Sequence, residues 1–137
     1  MKIVVIIGLL CAAGLSLQAQ RKQFQYEPER VTLKGKIISR TFFGPPGYGE
    51  DPKTDSKEQQ YLVVLDNPID VIGNSDNQTE RSVKQITLVV HDFKANPVRP
   101  LLGKKAIVEG TLFHAITGHH HTRVLVEVTS IKATTRG

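Results

Sequence analysis

Hydrophobic positions fall into two regimes along the chain. Residues 3–15 form a nearly unbroken apolar run, Ile3-Val4-Val5-Ile6-Ile7-Gly8-Leu9-Leu10-Cys11-Ala12-Ala13-Gly14-Leu15, behind the single charge of Lys2. Further on, the apolar positions come in short stretches of period two, separated by polar, Gly- and Pro-containing segments. In residues 30–37, Val31, Leu33 and Ile37 share a face with Gly35, while Thr32, Lys34 and Lys36 take the other. That alternation predicts a half-buried strand. A glycine in mid-strand predicts a bend or bulge, as a small barrel needs to turn a corner. Residues 106–113 repeat the design, with Ala106, Val108 and Leu112 in step with Gly110.

Residues 61–65 and 86–90 are short, β-branched apolar runs, and residues 124–131 read as a final strand. No stretch sustains a helical period. The best candidate, Phe93 to Leu102, is limited to about a turn by Pro97 and Pro100, and Gly103 marks its end. Five strands with a helical connector between the third and fourth predict an all-β, five-stranded OB-fold-like Greek-key barrel. An open sandwich normally needs about seven strands.

The first apolar run has the length and flanks of a secretory signal rather than a membrane span. Leu17-Gln18-Ala19 offers an imperfect cleavage site, and Leu10 is too bulky for the position before an acylated Cys11. The expected organisation is a cleaved signal over residues 1–19, an N-terminal arm over 20–29, the barrel over 30–132 and a tail over 133–137. Export to the periplasm or beyond follows, with no stable membrane span after cleavage. The only Cys leaves with the signal, so disulfides and thiol catalysis are excluded from the mature form. Such a domain rests on its core alone, feasible above about 60 residues. At 137 residues and formal net charge +5, the chain is one domain with a mixed surface, not a multidomain enzyme.

Chemically unusual residues gather in two loops, which an OB-fold brings to the same binding face. The first is Phe42-Phe43-Gly44-Pro45-Pro46-Gly47-Tyr48-Gly49-Glu50-Asp51, with a local excess of aromatics. Phe42 and Phe43 could equally end the strand and plug the barrel mouth. Residues 52–60 read as a charged, flexible continuation. The second is His114-Ala115-Ile116-Thr117-Gly118-His119-His120-His121-Thr122, holding four of the five histidines. Facing parity suggests Gly110 opposite Val124, Leu112 opposite Thr122 and His114 opposite His120 across a five-residue loop. Such opposition would let His114 and His120 share a metal ion or an anion.

Three readings of this cluster stay open. His114, His119, His120 and His121 could ligate Zn²⁺, Cu²⁺ or Ni²⁺. The rings could instead shape the loop by bonding its backbone, or sense pH or hold an organic ligand. The run lacks an established ligand spacing and an accompanying carboxylate at a fixed offset. Asp66, Asp70 and Asp76 form no calcium loop. No phosphate loop or nucleophile elbow is present. Lys34, Lys36, Arg40, Lys104 and Lys105 read as a solvated basic face. Export and the lack of aromatics interleaved on the strands argue against nucleic acid.

The chain resembles an exported bacterial family, domain-of-unknown-function family 4431, from about Gln25 to Ile131. The resemblance rests on Tyr26-Glu27-Pro28, Thr41-Phe42-Phe43-Gly44-Pro45-Pro46-Gly47-Tyr48, Arg99-Pro100-Leu101-Leu102-Gly103-Lys104 and Gly110-Thr111-Leu112-Phe113-His114-Ala115 through Thr117-Gly118-His119-His120-His121-Thr122. It implies a small, secreted domain without an assigned activity. The expectation is therefore a non-enzymatic binding domain with a site at Phe42, Phe43, Tyr48, His114 and His120. Its partner would be a small ligand or an envelope protein. The alternatives are a metal-binding protein or metal-dependent hydrolase using His114, His120 and His91, and an interaction or inhibitor module.

Overall fold

The computed structural model describes residues 20–91 and 96–135. The expected signal segment, residues 1–19, lies outside them, as does the start of the helical candidate at Phe93. Among the described residues six strands carry the fold: β1 (Lys22–Gln25), β2 (Arg30–Phe43), β3 (Lys57–Ile72), β4 (Glu80–Val89), β5 (Lys105–His114) and β6 (Val124–Ala133). One 3₁₀ turn, Arg99–Leu101, stands between β4 and β5. Among the described residues no helix is long and apolar enough to cross a membrane.

The strands form one sheet in the order β1-β3-β2-β5-β6-β4, and a β3–β4 pairing joins β2, β3, β4, β6 and β5 in a ring. β4 and β6 run parallel while the other pairs in the ring are antiparallel. The fold is thus all-β and OB-like, an imperfect five-stranded barrel with an extra strand. The sixth strand corrects the expected arm. Phe24 packs against the core, and Lys22 to Gln25 pair in parallel with Ile69 to Ile72. Its own sequence is polar because it is an edge strand.

β2 is long because it serves two partners. Residues 30–36 pair with β5 and residues 35–43 with β3, so Gly35 sits opposite both Ala106 and Leu65. A Cβ there would lie 2.2 Å from the Val64 carbonyl oxygen. Gly110 occupies the matching bend: its ladder slips at Glu109/Gly110, and a Cβ would meet the Glu127 carbonyl oxygen at 2.0 Å. Both glycines bring backbones closer than any side chain permits. Inside the ring, Leu33, Ile37, Val63, Val71, Ile86, Val108, Leu112, Val124 and Val126 form a fully buried core.

The strands run further than their apolar stretches. β3 begins at Lys57, so part of the expected flexible segment is ordered against β2, with Phe42 opposite Glu58. The remaining loop folds around Asp55. Its carboxylate, buried in the loop, accepts from the backbone N–H of Gly47 and Gly49 at 2.7 Å and of Asp51 at 3.3 Å. Burial pulls the Asp55 pKa upward, but these three donors outweigh it and hold the carboxyl below its ordinary value.

Candidate functional site

The expected β5–β6 register needs correction. Gly110 lies opposite Val128, Leu112 opposite Val126 and His114 opposite Val124. The whole of β6 is shifted relative to the parity-based pairing, and the connecting loop spans residues 115–123. Parity fixes which face a residue takes, not which residue it meets, so a shift of four residues preserves every buried position. Ala115 N–H bonds the Arg123 carbonyl at the loop's base, and His120 N–H bonds the Thr117 carbonyl within it. His114 and His120 are therefore not cross-strand neighbours.

Each histidine has a separate setting. His114 reaches the buried carboxylate of Glu80 with Nε2 at 2.9 Å, and its Nδ1 lies 3.1 Å from the Ala115 carbonyl oxygen. Both ring nitrogens thus face oxygen atoms, and neither is aimed into open space. Arg123 donates to the other Glu80 oxygen at 2.7 Å, and Gln78 adds a further donor. Burial raises the Glu80 pKa, but the His114, Gln78 and Arg123 contacts prevail and leave it lowered. Tyr26 stands edge-on to His114 with ring centroids 6.1 Å apart. Burial first, then the Glu80 charge, raises the Tyr26 pKa.

His120 turns inward to its own loop. Its Nδ1 accepts from the backbone N–H of Ile116 at 3.0 Å and of Thr117 at 3.4 Å, and its ring meets Phe113 edge-on. Burial and, after it, the nearby His119 and His121 hold its pKa below the usual histidine value. A ring that accepts from backbone N–H groups is a neutral structural acceptor.

His119 and His121 converge on Glu58 of β3. Nδ1 of His119 lies 2.5 Å from one carboxylate oxygen, and Nε2 of His121 lies 2.8 Å from the other. The His121 hydrogen bond, opposed by burial and reinforced by His119, holds the Glu58 pKa down. Phe42, cross-strand neighbour of Glu58, stacks on His121 at a centroid distance of 4.5 Å and an interplanar angle of 2°. Tyr48 meets His119 edge-on at 6.0 Å and crowds Gly118, where a Cβ would lie 2.9 Å from the ring. Gln60 donates to the His119 carbonyl at 2.6 Å, while its own side-chain oxygen is buried without a partner among the described residues.

The two loops therefore meet, through Phe42, Tyr48, His119 and His121. Phe43 is 37% exposed, Tyr48 45% and Ile116 81%, so three large apolar groups on these two segments remain open to solvent. His91 lies apart, exposed and 3.0 Å from Glu127. The histidines that were candidates for metal ligation are divided among Glu80, Glu58 and the loop backbone. Among the described residues no group of three His, Cys, Asp or Glu side chains is placed to hold an ion.

Sequence reasoning missed Glu58, Glu80, Arg123 and Asp55. Glu58 had a partial signal: a strand extended to Phe43 needs a hairpin partner extended toward residue 57, although the register that sets Glu58 opposite Phe42 is fixed only by the structure. Glu80 and Arg123 had no such signal, because their association depends on tertiary closure of the ring.

The architecture defines a small all-β domain with an OB-like ring and two loops joined on one face. Within it, residues 85–132 match the model of the family described as "Domain of unknown function (DUF4431)". The match covers β4 in part, the 3₁₀ turn, β5, the histidine hairpin and most of β6, so the family resemblance stands over that segment. No curated protein matches the chain.

Proposed function

We propose that the domain is a non-enzymatic, exported binding module whose site is the junction of residues 42–48 with residues 114–121. The observation that carries this reading is the position of the exposed apolar groups. Of the four exposed large hydrophobics among the described residues, Phe43, Tyr48 and Ile116 lie on these two loops. Such groups beside ordered polar ones are what a binding surface presents. Phe43 and Tyr48 supply contact area, Glu58, His119 and His121 supply polar orientation, and His114 and His120 fix the hairpin that carries them.

Backbone NMR of the labelled domain against a mixed fragment library tests the reading. Perturbed amides are expected in residues 42–48, 57–60 and 114–121. Phe43→Ala or Tyr48→Ala should weaken the best hit by about tenfold, as truncation of an aromatic anchor does, without lowering the melting temperature. Perturbations confined to other faces would remove the site. The exposure of Ile116 favours a protein partner as the second reading. In that case photo-crosslinks from position 116 should yield one discrete adduct in envelope extract, and the Tyr48→Ala change should abolish it.

A further inference from the structure

The barrel wall has a gap away from the histidine loops. β2 pairs with β3 only from Gly35 onward, and β3 takes β1 as a neighbour only from Ile69 onward. Asp66, Asn67 and Pro68 carry β3 across the interval, and the β3–β4 register slips between Val64 and Ile69. Pro68 is at home there because no ladder partner calls on a backbone N–H. Strands β1 and β2 diverge on either side and leave a cavity of about 580 Å³, within the range of small-ligand sites of roughly 300–1,000 Å³.

Its lining is two-part. Phe24, Leu33, Leu65, Pro68 and Ile69 give apolar walls that reach the buried core, while Arg21, Lys22 and Lys34 stand at the edge. Among the described residues Asp66 is the one carboxylate in the lining, and it is already paired with Lys105. Arg21 is held by Asp70 at 2.8 Å, and Lys22 sits 5.0 Å above the Phe24 ring. The cavity is therefore apolar at depth and cationic at its mouth.

We propose that this gap binds a single-chain anionic amphiphile, with the alkyl chain along Phe24, Leu33, Leu65 and Ile69 and the acidic head between Lys22 and Lys34. Charge complementarity selects this class. A neutral apolar ligand would leave the cations unused, and an acidic sugar or nucleotide would leave the apolar walls uncovered. The site shares no residue with the loop junction, so either can fail alone.

Decanoate, kept below its aggregation concentration, is the probe. Saturable shifts are expected for Phe24, Leu33, Leu65 and Ile69, with residues 114–121 unmoved. The pair Lys22→Gln with Lys34→Gln should weaken binding about fivefold, the scale of two exposed charge contacts. Thr32→Trp, at an exposed lining position, should block it while leaving the melting temperature near wild type. Decan-1-ol should bind more weakly than decanoate. The proposal is overturned if decanoate shifts only the loop junction, if the Lys pair and Thr32→Trp leave its affinity unchanged, or if association appears only with anionic phosphatidylglycerol vesicles, which would mark surface adsorption by lysines.

Discussion

Among the described residues, four carboxylates are held below their ordinary pKa by specific partners. Glu58 has two histidines, and Glu80 has His114, Gln78 and Arg123. Asp55 has three loop amides, and Asp70 has the Ser82 N–H followed by Arg21 and Arg81. A depressed folded-state pKa contributes stability above the unfolded value, about 3.9 for Asp and 4.3 for Glu, and that contribution is lost as pH falls through the folded value. Urea midpoints should therefore decline steadily from pH 5 to pH 2. Asp70→Asn should lower the midpoint at pH 6 and flatten this acid decline; a parallel curve would mean that Asp70 is not coupled to folding. At this scale the histidine cluster was legible in the sequence, but its chemistry was not. The partners lie 34, 61 and 63 residues away, and only the closed ring brings them in.

The elements themselves were read well where packing is local. The two strands bent at Gly35 and Gly110 follow from alternation, because a half-buried strand must repeat every second residue, while the β3 and β4 segments follow from short β-branched apolar runs. Strand ends and register did not follow, since polar residues such as Glu58 and Gln60 can pair in a ladder without apolar support. β1 escaped notice for the same reason: Lys22-Gln23-Phe24-Gln25 has one apolar anchor and is defined by its neighbour. Gly110 offers a clear check. Gly110→Val would drive a side chain into the Glu127 carbonyl and should destabilise the domain by about 3 kcal/mol, or prevent folding. Thermal or urea unfolding measures this, and a neutral result would mean that the strands separate there at little cost.

For the whole molecule, the weakest seam is where the ring closes. β4 and β6 share three parallel pairs, Thr87 with Leu125, Leu88 with Val126 and Val89 with Glu127, against nine cross-strand pairs between β2 and β3. Hydrogen exchange of the amides in the β4–β6 seam is expected to proceed through openings about 2 kcal/mol below the global unfolding energy, with the β2–β3 amides requiring full unfolding. Equal protection throughout would show that the ring opens as one unit. The Asp55 clamp has a different consequence for any encounter at the loop face. Because that carboxylate fastens the Gly- and Pro-containing loop from within, the loop's shape does not wait for a partner. Most of its conformational entropy is already lost on folding, leaving little ordering to oppose association. Recognition would then approach rigid docking, with selectivity set by the contour of a surface that exists before contact.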